Sequence, residues 1–191
     1  MYSKIFSIFA CIFYFLSFSV AADNHDTLVL SLKNGDVVIR LYPDLAPKHV
    51  ARIKKLTEEG AYNGVVFHRV IPGFMAQTGD VKFGKKNSSY FDLKHVGTGG
   101  SDYPNLPAEF SDMPFKRGTV GMARSQDFHS ANSQFFICFD DASFLNGQYT
   151  VIGEVVSGMD VVDKIKKGTA RDNGSVANPD VIESAYFPVN P

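Results

Sequence analysis

The sequence predicts a mainly β fold, either a sandwich or a barrel, that also contains two helices. Two observations support this prediction. Short apolar runs recur along the chain, separated by glycine, proline and asparagine, which is typical of an all-β domain. Two segments instead repeat their apolar residues at helical spacing. The chain has 191 residues and no internal repeat or linker divides it, so one domain is expected.

The first two strands are predicted to form an antiparallel hairpin. Residues 28–30 and 37–41 are apolar runs on either side of Asn34-Gly35, a pair that tolerates the positive φ angles of a tight turn. Residues 81–116 are rich in Gly, Pro, Ser, Asp and Lys and are predicted to be surface loops. The remaining strands are predicted from six apolar runs, which are residues 65–71, 74–78, 119–123, 135–139, 151–156 and 181–187.

The two helices are predicted over residues 47–59 and 159–167. In the first, Val50, Ile53 and Leu56 recur at helical spacing, with a proline in the first turn and a glycine after the last residue. In the second, the apolar residues form one stripe before a glycine. Each helix therefore has one apolar face to pack against the sheet.

The N-terminal segment predicts export. Lys4 precedes an uncharged apolar run over residues 5–20, which ends in the small residues that signal peptidase accepts. We expect residues 1–22 to be a signal peptide that is cleaved after Ala22, leaving residues 23–191 as a single domain. An uncleaved anchor is the alternative, but the run is short for a bilayer span and no basic cluster follows it.

The composition and the motifs of the sequence argue against several classes of function. The net charge of −1 argues against nucleic-acid binding, and the basic loop of Lys82, Lys85 and Lys86 is expected to be solvated surface. The five histidines show no ligand spacing, so no metal site is expected. The chain lacks a Gly-x-Ser-x-Gly elbow, and Cys138 stands in an apolar run where a buried, unreactive thiol is expected. The Gly-rich residues 97–100 are not followed by a helix start with Lys-Ser/Thr, so they do not predict a phosphate site.

Residues 67–77 interleave large apolar side chains with single polar ones. Because alternate side chains of a strand share a face, Phe67 and Arg69 can point the same way, and so can Met75 and Gln77. Arg69 could thus border an apolar pocket. The alternative is a surface arginine over the core residues of its own strand, and the pattern alone favours this alternative.

Three ordered motifs resemble the cyclophilin family of peptidyl-prolyl cis-trans isomerases. They are FHRVIPGFMAQTGD at residues 67–80, GTVGMAR at 118–124 and SQFFI at 133–137. The similarity runs from about Thr27 to Tyr186 and includes NGQYTVIG at 146–153. The resemblance implies a closed eight-stranded antiparallel β-barrel capped by two α-helices. It also implies an enzyme, a rotamase that accelerates rotation of X–Pro bonds in proline-containing polypeptides.

The resemblance also implies a set of site residues. Arg69 and Gln77 are expected to be catalytic, while His68 is expected to be structural. The expected substrate-binding residues are Phe74, Met75, Ala123, Arg124, Gln134, Phe136, Phe144, Leu145 and Tyr149. Because the rotation breaks no covalent bond, the reaction requires no cofactor, metal or nucleophile.

Three site positions differ from the best-known eukaryotic members and resemble bacterial ones. Phe144 stands where those have Trp, Tyr149 where they have His, and Arg124 where they have Asn. Only weak binding of cyclosporin is expected, since Phe lacks the N–H donor of the indole ring.

We expect a periplasmic location, or secretion if the source is not Gram-negative. No stable membrane association is expected after signal cleavage.

The residues alone are also compatible with two other functions. A chaperone could use the same groove to hold proline-containing segments without turnover, and a hydrolase would release cleaved peptide. Substitution of Arg69 discriminates the isomerase from the chaperone, because only the isomerase needs the guanidinium for turnover.

Overall fold

The computed structural model describes residues 26–169 and 171–188. The predicted signal peptide, residues 1–22, lies outside the described residues. The helices are α1 (Pro47–Glu58) and α2 (Met159–Asp163), with a 3-10 turn at Ser143–Leu145. The strands are β1 (Thr27–Leu32), β2 (Gly35–Leu41), β3 (Arg69–Ile71), β4 (Met75–Thr78), β5 (Thr119–Met122), β6 (Phe135–Cys138), β7 (Val151–Ser157) and β8 (Ser184–Tyr186).

All eight strands belong to one antiparallel sheet, in the order β3-β4-β6-β5-β7-β2-β1-β8. The prediction of a mainly β fold with eight strands and two helices is confirmed. The prediction of a closed barrel is wrong. Strands β3 and β8 are the two edges of the sheet, which curls into a half-barrel without a β3–β8 ladder among the described residues.

The segment at residues 173–182 explains why the sheet stays open. It makes separate hydrogen bonds to residues 65–70, such as the N–H of Phe67 to the carbonyl of Asp180, rather than a regular ladder. Asn173 and Gly174 have positive φ angles of 50° and 78°. Pro179 has no N–H to donate. The segment therefore covers the gap between the two edges but cannot continue either strand.

The hairpin of β1 and β2 is confirmed, with one difference in its turn. Leu32 pairs with Gly35, so the connecting residues are Lys33 and Asn34. The positive φ of this connection, 127°, belongs to Gly35. The glycine of the Asn-Gly pair thus supplies the unusual backbone angle, and it does so as the first residue of β2.

Helix α1 follows its prediction closely, whereas α2 is shorter than predicted. The apolar stripe of α1, including Val50 and Ile53, is buried, as the spacing predicted. Helix α2 ends at Asp163, four residues before the predicted end. The N–H of Lys166 donates to the Asp180 carboxylate at 2.8 Å instead of continuing the helix. A long-range hydrogen bond has replaced the local one.

The central strands bury side chains on both faces of the sheet. On β6, Phe135 and Ile137 belong to the main core, while Phe136 and Cys138 belong to a second apolar cluster on the opposite face. Strand β4 divides in the same way, with Met75 in the second cluster. This period-two alternation creates two apolar layers, and the second layer underlies the candidate site. Within the described chain, no helix has the length and apolar content to cross a bilayer.

Candidate active site

A row of paired residues crosses four neighbouring strands and defines the site. Arg69 of β3 pairs with Gln77 of β4, Gln77 pairs with Phe136 of β6, and Phe136 pairs with Gly121 of β5. Side chains that pair across an antiparallel sheet lie on the same face. The sheet therefore places an arginine, an amide and a phenyl ring side by side, although up to 67 residues separate them in the chain.

Arg69 is held by three hydrogen bonds. Its Nη1 donates to Oε1 of Gln77 at 3.2 Å. Its Nε donates to the carbonyl of Asn173, and its Nη2 donates to Oδ1 of the same residue, both at 3.0 Å. An arginine has five N–H donors, so among the described residues two of them keep no acceptor. Partial burial lowers the pKa of Arg69, but an arginine stays charged in proteins.

Gln77 is oriented by a chain of amide hydrogen bonds. While its Oε1 accepts from Arg69, its Nε2 donates to Oε1 of Gln134 at 2.9 Å. Gln134 in turn donates to the carbonyls of Gly97 and Gly99 at 2.9 and 2.8 Å. Each amide thus has a fixed direction, which leaves the second N–H of Gln77 Nε2 available to a ligand.

A pocket of about 370 Å³ lies beside these polar groups, lined by apolar and aromatic side chains together with two arginines and two glutamines. Phe136 and Phe115 stack under it with ring centroids 5.7 Å apart. Gly121 makes this stacking possible, because a Cβ there would lie 2.6 Å from a ring carbon of each phenyl. The residues lining the pocket are Arg69, Phe74, Met75, Gln77, Ala123, Arg124, Phe136, Phe144, Leu145, Gln148 and Tyr149.

The rim of the pocket is aromatic and, besides Arg69, carries the positive charge of Arg124. The Phe144 ring packs on Phe74 with centroids 5.3 Å apart and remains 63% exposed. The Arg124 guanidinium lies over the Phe128 ring at 4.5 Å and over the Tyr149 ring at 4.3 Å. Arg124 also donates to the carbonyl of Gln148. Its side chain is therefore part of the rim.

The predicted site residues come together with one partial exception. Ten of the eleven line the pocket just described. Gln134 lines a neighbouring polar cavity of about 620 Å³, which shares Gln77, Ala123 and Arg124 with the first. Gln134 reaches the site through its hydrogen bond to Gln77.

Sequence reasoning missed two residues of the site, Gln148 and Asn173. Gln148 lines the pocket, and its side chain donates to the carbonyl of Phe144 at 2.9 Å. Asn173 contacts Arg69 from 104 residues away, so no spacing in the sequence connects them. The Asn173-Gly174 pair was nevertheless a usable signal, because such pairs favour the positive φ angles that both residues adopt.

His68 and Cys138 are buried close to the site without lining the pocket. His68 is 5% exposed, and neither ring nitrogen has a hydrogen-bond partner among the described residues. Burial lowers its pKa to about 4, and burial raises the pKa of Cys138 to about 12. Both are therefore neutral at pH 7. Within residues 26–169 and 171–188, no cluster of His, Cys, Asp or Glu is arranged to hold a metal ion.

Comparisons with known proteins identify relatives of this chain. The family model for cyclophilin type peptidyl-prolyl cis-trans isomerases matches residues 27–187. A probable peptidyl-prolyl cis-trans isomerase of Brucella suis is 72% identical over 165 residues, which cover 86% of this chain and 84% of the relative.

Solved structures show the same fold. A cyclophilin from Hirschia baltica has a TM-score of 0.71 at 26% identity, over 86% of this chain and 74% of that one. A Cryptosporidium parvum cyclophilin, crystallised in the presence of the dipeptide Ala-Pro, has a TM-score of 0.71 at 22% identity, over 86% of this chain and 99% of that one. The chain belongs to the cyclophilin-type peptidyl-prolyl cis-trans isomerases.

Proposed function

We propose that the protein accelerates cis-trans rotation of X–Pro bonds and that Arg69 is the principal catalytic group. The observation that carries the proposal is the position of Arg69. Three of its N–H donors are bound to protein acceptors in the described chain, and it stands at the rim of a pocket that has apolar and aromatic walls. The proline ring would occupy the pocket, against Met75, Phe136 and Leu145.

The twisted amide is the species that this site favours. Resonance makes the peptide bond planar, with a rotation barrier of roughly 18–20 kcal/mol. As the bond twists, the proline nitrogen becomes pyramidal and regains a lone pair. A remaining N–H of Arg69 donates to that nitrogen more strongly in the twisted state than in the planar one. Only such a difference between the two states accelerates the reaction.

Gln77 and the apolar walls contribute positioning and exclusion of water. Gln134 fixes the direction of the Gln77 amide. The remaining N–H of Gln77 Nε2 therefore donates to a substrate carbonyl while the rest of the substrate peptide rotates. Each tenfold acceleration requires about 1.4 kcal/mol of preferential stabilisation. An acceleration of 10⁵-fold therefore needs roughly 7 kcal/mol, which several contacts of this kind supply together.

The deciding experiment is the variant Arg69→Ala in an NMR exchange assay on a proline tetrapeptide. We expect a fall in kcat of at least about 100-fold, because the variant loses the charged donor that Arg69 offers to the nitrogen of the twisted amide. Binding of the peptide should weaken far less. Arg40→Ala is the matched control, since it removes an arginine that pairs with Glu154 and lines neither cavity.

The alternative function is a chaperone that holds proline-containing segments without turnover. Such a protein would bind the tetrapeptide but leave its exchange rate unchanged, in both the native chain and the variant. Equal turnover in the native chain and Arg69→Ala would instead refute the role of the arginine. The Ala-Pro dipeptide associated with the Cryptosporidium structure supports a proline-containing ligand here too.

Cyclosporin should bind weakly. Phe144 is an exposed phenyl at the pocket rim and has no N–H donor. Phe144→Trp should therefore tighten cyclosporin binding by about tenfold, the worth of one added hydrogen bond. Isothermal calorimetry on both proteins measures the change, with Tyr90→Trp as the control at an exposed aromatic residue outside the pocket. Unchanged affinity in Phe144→Trp would contradict this explanation.

We further propose that the protein is exported to the periplasm and that residues 1–22 are removed on the way. The support is the charge and hydropathy pattern of those residues. Sequencing the N-terminus of the protein recovered from the periplasmic fraction should give Asp23 first. Recovery of an intact Met1 in the membrane fraction would favour an uncleaved anchor.

A further inference from the structure

Asn173 adopts an unusual backbone conformation beside the candidate catalytic arginine. Among the described residues it is the one non-glycine with a positive φ, at 50°. This conformation is uncommon for residues other than glycine, although Asn tolerates it better than most. Its backbone carbonyl and its side-chain Oδ1 each accept a hydrogen bond from Arg69 at 3.0 Å.

The turn that carries Asn173 is fixed against strand β3. The N–H of Gly174 donates to the carbonyl of Thr169, and its carbonyl accepts from the N–H of Val70 at 2.7 Å. A Cβ on Gly174 would lie 2.5 Å from Cγ1 of Ile71, so the backbone approaches β3 as closely as glycine permits. The two acceptors of Asn173 therefore have a defined position relative to Arg69.

The two hydrogen bonds hold one edge of the guanidinium. Nε and Nη2 both donate to Asn173, while one N–H of Nη1 donates to Gln77. Because the guanidinium is planar, fixing this edge fixes the directions of the remaining N–H bonds on Nη1 and Nη2. Without Oδ1, the group is held at Nε and Nη1 only, and Nη2 can rotate about its bond to Cζ.

We propose that Asn173 is a positioning residue for the isomerase reaction, which acts by orienting the Arg69 guanidinium toward the bound X–Pro bond. The inference rests on the proposed function. It adds a residue from the C-terminal part of the chain to a site that otherwise lies on residues 69–149. Asn173 itself does not line the pocket, so it acts through Arg69 rather than on the substrate.

Asn173→Gly is the most informative variant. Glycine keeps the positive φ and the backbone carbonyl but removes Oδ1, so it deletes one hydrogen bond without straining the turn. We expect kcat for a proline tetrapeptide to fall by about tenfold, the worth of one hydrogen bond to a charged group, with KM unchanged. Asn173→Asp keeps an acceptor at the same place and should retain most of the turnover.

Asn178→Gly is the matched control. Asn178 is an exposed asparagine nearby in the same segment and lines neither the pocket nor its neighbouring cavity. The control introduces the same glycine flexibility, and its kcat should equal that of the native chain. Thermal denaturation of all variants separates a loss of stability from a loss of turnover.

NMR of the Arg69 side chain gives a readout that a purely structural role would not change. In the native chain, the hydrogen bond to Oδ1 should slow rotation about Cζ–Nη2 and keep the two Nη2 protons distinct. In Asn173→Gly these signals should merge. Asn173→Asp should restore them.

The outcomes separate this inference from the proposed function. If Arg69→Ala keeps native turnover, the proposed function fails and the inference fails with it. If Arg69→Ala loses turnover but Asn173→Gly keeps native kcat, only the role of Asn173 is refuted. A lower kcat in Asn173→Gly with unchanged Arg69 signals and a matching loss of thermal stability would also refute it. A lower kcat with native stability and merged signals supports it.

Discussion

The buried imidazole of His68 should make the protein lose stability on mild acidification. The ring is 5% exposed, and burial lowers its pKa to about 4. In the unfolded chain a histidine has a pKa of about 6.5. As the pH falls below 6.5, His68 binds a proton in the unfolded state but remains neutral in the folded state. This contribution to stability is therefore complete above pH 6.5 and decreases until the folded state also protonates, near pH 4.

The pKa difference sets the size of the effect. Stability should fall by about 1.4 kcal/mol for each pH unit inside this window, which amounts to roughly 3 kcal/mol over the whole of it. That is a large part of the free energy of unfolding of a typical domain, which is roughly 5–15 kcal/mol. Burial also lowers the pKa of His49, so the native chain should show an even steeper loss.

Urea denaturation of the native chain and of His68→Gln between pH 7 and 4.5 measures the effect. Gln has a similar volume and no charge at any of these pH values. The slopes of stability against pH are compared, so the intrinsic cost of the substitution cancels. His129→Gln, which removes an exposed imidazole, is the control. An identical slope in the native chain and His68→Gln, or an NMR titration midpoint for His68 near 6.5, would refute the reasoning.

Two further predictions concern the stability of the fold and the Phe136 ring of the pocket. Glu109→Ala should lower the free energy of unfolding by about 2–3 kcal/mol in urea denaturation, because its carboxylate accepts from the first turn of α1 and from the buried Nδ1 of His49. Glu109→Gln should lose less, and equal losses would contradict this explanation. Gly121→Ala should cost about 1–3 kcal/mol and reduce turnover of the tetrapeptide, since its Cβ would displace the Phe136 ring. Native turnover in Gly121→Ala would show that the ring position does not matter.

Local patterns in the sequence predicted most of the strands and both helices. The helical stripe of α1 and the apolar runs of β5, β6 and β7 lie within a residue or two of the observed bounds. These predictions succeeded because a short apolar run between turn residues indicates a buried strand, and a stripe at helical spacing indicates a helix with one buried face. The family motifs predicted which side chains from several strands share one site. No local pattern connects those side chains.

The errors arose where distant residues compete for backbone hydrogen bonds. Residues 65–71 form one apolar run, but only Arg69–Ile71 joins the sheet as a strand. The N–H of Phe67 donates to Asp180, more than a hundred residues away. Asp180 also ends α2 early by accepting from Lys166. Nothing in the sequence around residues 65–71 or 159–167 identifies this partner.

The buried carboxylate of Asp80 has a consequence for engineering the protein. It accepts hydrogen bonds from the backbone N–H groups of Phe83, Gly97 and Gly99. These hydrogen bonds hold both ends of the loop at residues 81–101 in position. The tip of that loop includes Tyr90, which is 68% exposed. Extra sequence inserted at the tip would extend into solvent while the fastened ends keep their places. Tyr90 is therefore a suitable point at which to graft a client-recruiting peptide onto the molecule.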